Sequence, residues 1–334
     1  MTRLNTQCRL ASRPNGLPTS DNWSIVERPV PSAGDGEFVV EVGHLSIDPG
    51  TRASMNAGDS YLPAIQIDAV MRALAVGTVI ESRHEKFPVG SDVSGMFGVQ
   101  DYAVSDGTDV TIIDTSIAPA PVHLGALGIS GLTAYFGLLD VGRLRAGDTV
   151  VVSGAAGSVG SIVGQIARLH GCRTIGIAGG EDKCRWLVDD LGFDAAIDYK
   201  SASLRRELRT HAPDGIDVFF DNTGGPALEA ALNRLARGAR IVLCGAISQY
   251  NEPGSGPANY MQLLVARASM TGFVIFDYED RYQEGADALA AWLAADELKA
   301  PMSLRRGSVS DFPDTMLELF RGGNQGKLIL ELEH

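Results

Sequence analysis

VVVSGAAGSVGSIVGQIARLHG, Val150 to Gly171, is the stretch that decides the fold. It opens as a short apolar strand, passes through small residues and continues with apolar positions at helical spacing. A strand, a glycine-rich turn and a helix in that order make a phosphate-holding loop. The helix start offers unpaired N–H groups and a partial positive charge. The dinucleotide fingerprint G-x-G-x-x-G falls on Ala155-Ala156-Gly157-Ser158-Val159-Gly160, with Ala155 in place of the first glycine. Gly157 lets the backbone approach a pyrophosphate, and Gly160 lets the helix pack on the strand. Ala156, Ser158 and Val159 complete the expected cofactor loop. The alternative is a glycine-rich turn that holds no ligand.

Strands and helices alternate downstream of this loop. Strand candidates run over 149–153, 173–178, 195–199, 217–222, 240–245 and 270–276, and Gly171 and Gly192 are good helix stops. Short apolar strands alternating with helices predict an α/β fold with a doubly wound, parallel Rossmann sheet. The first 120 or so residues read differently. FVVEVGHLSI, ALAVGTVIES and DVSGMFGVQDYAVS are β-type runs separated by Gly, Pro and Asp turns, as in a partly open barrel. The end of the chain, with a helix over 311–320 and the strand KLILELE, is expected to return to this β domain. The expected division is therefore 125–295 for the nucleotide-binding domain and 1–124 with 296–334 for the other.

Composition narrows the function. The chain has 334 residues, 45% of them apolar, which suits two globular domains at about 150 residues each. Its net charge of −13 disfavours nucleic acid and anionic membranes as partners. An anionic cofactor would need local positive charge. The four cysteines are scattered and form no C-x-x-C pair, which suits a reducing cytoplasm. The first residues lack the apolar core of a signal peptide. Leu124 to Gly142 is apolar but broken by Gly, Ser and Thr, and reads as buried helix.

The second strand separates NAD from NADP. An NAD site has an Asp or Glu at that strand's end, on the ribose 2′-hydroxyl. Here the strand ends in neutral Ala178, two glycines follow, and Lys183 and Arg185 come next. That pattern favours NADP(H), with Glu181 as the dissenting carboxylate.

Together these residues resemble the medium-chain dehydrogenase/reductase superfamily. The closer resemblance is to its zinc-independent branch of prostaglandin, curcumin and 2-alkenal double-bond reductases. The markers are DPGTR (48–52), GLTAYFGLL (131–139), the phosphate loop, DNTGG (221–225), CGAISQYN (244–251) and GGNQGK (322–327). The resemblance implies a GroES-like, partly barrel-shaped catalytic domain beside the Rossmann domain, NADPH, and a homodimer joined through the Rossmann domains. By match to the family's motifs, Lys183 and Tyr199 hold the 2′-phosphate. Asn222 and Cys244 line the cofactor groove, Phe273 and Asn324 lie near the nicotinamide, and Thr133 lies toward the pyrophosphate and nicotinamide end. Where relatives carry an aromatic after Asp-Pro, this chain has Gly50. No metal is expected. Catalytic zinc needs three Cys, His or Glu ligands, and the one Gly-His pair, ending at His44, is not followed by Glu.

The reaction implied is hydride transfer to the β-carbon of an α,β-unsaturated ketone or aldehyde, leaving an enolate. That chemistry asks for geometry and an oxyanion donor. Tyr250, in the loop after the fifth strand, is the first donor candidate, acting in the family with the cofactor ribose. Tyr61 is the second, similar to a tyrosine of the curcumin reductases. Two rivals stay open: an NADPH:quinone reductase and a non-catalytic NADP-binding protein. Asp48 and Pro49 read as a helix cap and first helical residue.

Overall fold

The computed structural model describes residues 3–58, 61–252 and 254–333. These divide into two compact units, one running up to Leu124 and resuming at Met302, the other spanning Gly125–Pro301.

The first unit opens with the antiparallel hairpin β1 (Leu4–Leu10) and β2 (Trp23–Pro29). Then come β3 (Phe38–Ser46), the short helix α1 (Pro49–Ser54), β4 (Ala75–Ser82), β5 (Asp92–Gly95), β6 (Tyr102–Ser105) and β7 (Thr111–Ile112). Along β3, apolar Val40, Val42 and Leu45 turn into a core that also holds Phe38, Met55, Met71 and Val93.

The second unit begins with α2 (Ile129–Phe136). Gly137–Val141 prolongs it by a wider turn. The alternation follows: β8 (Thr149–Ser153), α3 (Ser158–Leu169), β9 (Arg173–Ala178), α4 (Glu181–Asp189), β10 (Ala195–Asp198), α5 (Leu204–His211), β11 (Ile216–Asp221), α6 (Gly225–Leu232), β12 (Leu235–Leu243), α7 (Gln262–Ala266), β13 (Ser269–Gly272) and α8 (Tyr282–Ala294). The sheet order is β10-β9-β8-β11-β12-β13, and every pairing is parallel. This is the doubly wound order, which reverses between β8 and β11 and leaves a ligand crevice at the C-terminal strand ends. Val150, Val151, Val152, Ile175, Phe219 and Phe220 are wholly buried, as strands covered on both faces require. The α3 face of Ile162, Val163, Ile166 and Ala167 is buried too. At the opposite end of the sheet Asp148 and Arg240 form a buried ion pair, and Arg240 Nε also donates to Gly142 O at 2.9 Å.

Four strands stop short of the sequence expectation: β11 ends at Asp221 and β12 at Leu243, one and two residues early, and β10 and β13 do so as well. β10 ends at Asp198, whose carboxylate accepts the N–H groups of Gly180 (2.8 Å) and Lys200 (3.0 Å), while Tyr199 N still donates to Ala178 O of β9 at 3.1 Å. β13 ends at Gly272, opposite Leu243, the last residue of β12, its one ladder partner among the described residues.

The chain then returns to the first unit as β14 (Met302–Gly307), α9 (Phe312–Arg321) and β15 (Lys327–Leu332). β15 inserts between β14 and β3 in the sheet β14-β15-β3-β4-β5-β7, and β6 also pairs with β3. The fold is thus the expected α/β combination of a Rossmann sheet with a separate β-rich unit. Among the described residues no helix is long and apolar enough to cross a membrane.

Candidate cofactor and active site

The phosphate loop departs from the expected register in one respect. Gly154, not position 155, makes the tight turn after β8, with φ of 58°. A side chain is strained in that left-handed conformation and glycine is not. The working pattern is therefore Gly154-x-x-Gly157-x-x-Gly160. Ala155, read from sequence as a replaced glycine, is wholly buried instead. Gly160 is required by close approach, since a Cβ there would lie 2.5 Å from Gly154 O and 2.8 Å from Ala155 Cα. Gly157 caps α3 with extended backbone and has no side chain to occupy the helix N-terminus. The Ser158 hydroxyl beside it is buried and has no hydrogen-bond partner among the described residues. A buried polar group left so costs about 1–3 kcal/mol. A phosphate oxygen would satisfy it, and the loop fits a dinucleotide.

Positive charge gathers where β9 and β10 end. A Cβ on Gly179 would lie 2.9 Å from Tyr199 Oη and 3.0 Å from Lys200 Cε. Lys183 reaches the same place from the first turn of α4. Its ammonium is held below the ordinary lysine range, chiefly by burial and then by the charge of Lys200. Among the described residues neither lysine forms an ion pair. Arg185 behaves otherwise, bridging Glu181 (3.2 Å) and Asp182 (3.5 Å) on its own helix. Glu181, the carboxylate that argued for NAD, is thereby engaged. Lys200 escaped the sequence reading, although it directly follows Tyr199, because only the parallel pairing of β9 with β10 carries it to Lys183.

The third cluster sits at the ends of β11 and β12. Asp221 is wholly buried. Its Oδ1 accepts Ser153 Oγ (2.6 Å), Thr223 N (3.0 Å) and Gly224 N (2.9 Å), which fixes the turn after β11. Burial raises its carboxyl above the usual range. Asn222 is pinned to β8, its Nδ2 donating to Ser153 O at 2.7 Å. Burial, and then the charge of Asp221, push the Cys244 thiol up to about 12. It stays protonated and is no nucleophile. Tyr250 follows a short turn over Ile247–Gln249. Its hydroxyl oxygen accepts Ala246 N at 3.4 Å and lies 3.3 Å from where a Cβ on Gly245 would be. Burial raises this phenol above its ordinary value, so it keeps its proton and remains an O–H donor.

The remaining expected residues belong to both units. Thr133 donates its hydroxyl to Ile129 O at 2.6 Å within α2. Phe273 comes to the end of that helix, its Cζ 2.6 Å from where a Cβ on Gly137 would be. Asn324 and Tyr61 belong to the first unit. Asn324 is buried and donates to Gly326 O at 2.8 Å, while Tyr61 is 54% exposed. Asp48 does not cap α1 with its side chain. Its carboxylate takes the Ser46 hydroxyl and the buried Lys327 ammonium instead.

Residues 6–113 match the model of the N-terminal domain of oxidoreductase, and 158–291 that of zinc-binding dehydrogenase. The chain is 36% identical to the NADPH-dependent curcumin reductase of Escherichia coli, over 98% of this chain and 97% of that one. It is 36% identical to prostaglandin reductase 1 of Mus musculus, over 95% of each. The chain belongs to the curcumin and prostaglandin reductase branch of the medium-chain dehydrogenase/reductases. The crystal structure of CurA in complex with NADPH from Vibrio vulnificus superposes on this medium-chain reductase with a TM-score of 0.93, at 42% identity over 98% of this chain and 99% of that one. Despite the name of the second matched domain, the described residues of this reductase contain no group of three or more His, Cys, Asp or Glu placed to hold a metal. They do not fit a zinc ion.

Proposed function

We propose that this reductase uses NADPH to reduce the carbon–carbon double bond of α,β-unsaturated ketones and aldehydes. What carries the reading is a lysine pair, Lys183 and Lys200, and a half-buried, protonated tyrosine hydroxyl along the C-terminal edge of one parallel sheet. Ala156 to Gly160 would hold the pyrophosphate, with Ser158 Oγ and the α3 N-terminus as donors. Lys183 and Lys200, with Tyr199, would hold the 2′-phosphate that distinguishes NADP from NAD. Asn222, Cys244, Thr133 and Phe273 would line the way to the nicotinamide, with Asn324 from the first unit. The cofactor, when bound, supplies the hydride.

Tyr250 meets the carbonyl oxygen as negative charge gathers on it. A positioned donor of this kind lowers the barrier by about 3–4 kcal/mol. Its raised pKa keeps the proton on the phenol, where it donates a hydrogen bond without ionising. Tyr61 is the second hydroxyl offered to the substrate. The test is NADPH oxidation with a panel of enones and 2-alkenals, a quinone, and NADH in parallel. Formation of the saturated ketone with NADPH ahead of NADH is expected. Turnover of the quinone alone would overturn the double-bond reading, and binding without any turnover would make the chain a non-catalytic NADP-binding protein.

The reading includes a homodimer through the second unit. β13 is an edge strand, and beside it Tyr260, Met261, Leu264 and Val265 are all more than half exposed. An open edge next to an apolar patch invites pairing with another copy. Light scattering should give twice the chain mass, and Leu264→Asp should return the monomer.

A further inference from the structure

We propose that Gly50 is a positioning residue for Tyr61: position 50 is kept bare so that the Tyr61 hydroxyl can lie over α1. The inference rests on the reading of Tyr61 as a substrate-side hydroxyl. Gly50 is the second residue of α1, after Pro49. It is not among the residues with positive φ, so its backbone conformation is open to any residue. Glycine inside a helix weakens it relative to alanine, and the turn itself supplies no reason for it. The reason is one atom. A Cβ at position 50 would meet Tyr61 Oη at 2.9 Å, and apart from its chain neighbours and the backbone of α1 no other described atom lies within 4 Å of it.

When the two compete for that space, Tyr61 is the one that yields. The helix is fixed from several sides. Thr51, Arg52 and Ser54 are buried, Ser54 Oγ donates to Thr51 O at 2.8 Å, and Arg52 reaches Gly16 O and Asn56 Oδ1 at 2.7 Å each. The loop beyond Tyr61 is held by backbone contacts, Pro63 O accepting Arg72 Nη1 at 2.9 Å and Ile65 N donating to Ser54 O at 2.8 Å. Tyr61 itself is 54% exposed and carries its hydroxyl at the far end of a rotatable side chain. A methyl group at 50 therefore shifts the phenol without damaging the fold. The bare position acts as a seat whose height sets where the hydroxyl meets substrate.

The experiment is a cycle of Gly50→Ala, Tyr61→Phe and the double variant, each assayed for kcat and KM on a good enone and followed by thermal melting. Gly50→Ala should melt no lower than wild type and should lower kcat/KM about 2- to 12-fold, the worth of one neutral hydrogen bond. Tyr61→Phe should cost a similar factor. In the Tyr61→Phe background the hydroxyl is gone, so Gly50→Ala should change kcat/KM less than about twofold. Equal losses in both backgrounds, or no loss in the first, would overturn the proposal. NMR of protein labelled at the tyrosine Cζ carbon separates this from failure of the parent reading. If wild type reduces no enone, the reductase reading falls and takes the substrate role of Tyr61 with it. If the Tyr61 resonance is unmoved by Gly50→Ala, the seat itself is disproved whatever the activity.

Discussion

Removal of the Lys183 ammonium probes the cofactor end of the site. Lys183 lies half-buried beside Lys200; among the described residues neither closes an ion pair, although the charge of Lys200 acts on the Asp198 carboxylate. In a chain of net charge −13 two neighbouring lysines make a local positive site suited to an anion. A charge-assisted hydrogen bond is worth about 1.5–3 kcal/mol. Lys183→Ala should therefore raise the Kd for NADPH about 10- to 150-fold. Lys200 is exposed, where ion pairs contribute about 0–1 kcal/mol, so Lys200→Ala should cost at most about fivefold. NADH lacks the 2′-phosphate and should bind each variant as it binds wild type. Titration calorimetry with both cofactors, at low and high salt, reads these numbers directly. The pH dependence follows from the same geometry. Burial first, and Lys200 second, pull the Lys183 pKa below the ordinary lysine value. As pH climbs toward that lowered value the free enzyme loses the charge, so NADPH affinity should fall while NADH affinity holds. Lys200→Ala removes one of the two causes and should move the fall-off to higher pH. Loss of NADPH and NADH affinity by the same factor in Lys183→Ala would refute the assignment of this cluster to the 2′-phosphate.

Other consequences can be checked more briefly. Tyr250→Phe should lower kcat about 100-fold with NADPH affinity unchanged; wild-type turnover in that variant would remove Tyr250 from the mechanism. Gly160→Val must displace the Gly154 carbonyl, 2.5 Å from the new Cβ, so it should destabilise by about 1–3 kcal/mol and weaken NADPH and NADH alike, as melting curves and titrations would show. Arg240→Ala leaves Asp148 buried without its partner, and denaturant unfolding should register a loss of about 3–5 kcal/mol, whereas a loss below about 1 kcal/mol would mean that water reaches the carboxylate.

Much of this protein is written locally. Val150 to Val152 can only be a buried strand, and the glycines after them mark a turn into a helix whose apolar stripe must be covered. Alternation of such units is enough to give a doubly wound sheet, because parallel strands need helical crossovers. The phosphate loop was legible for the same reason, since its residues are neighbours in the chain. Even there, which glycine makes the turn was not. G-A-A-G-S-V-G can be read in two registers, and only the left-handed backbone at Gly154 chooses between them.

Contacts between distant residues were out of reach of the sequence. Asp48 reads as a helix cap, yet folding the tail back as β15 brings Lys327 to it across 279 positions, and an ion pair replaces the cap. Lys183 reads as one of two cations on α4, yet Arg185 closes on its own helix and Lys200 arrives from the next strand. Gly50 reads as a plain departure from a motif, and its reason is a phenol eleven residues on. Sequence by itself determined the elements, their order and the chemistry of the loop, because these follow from periodicity and from the conformations each residue permits. The tertiary structure alone decided which charges meet, which remain unpaired and which hydroxyl lies over which helix, because ion pairing and steric exclusion depend on distance in space.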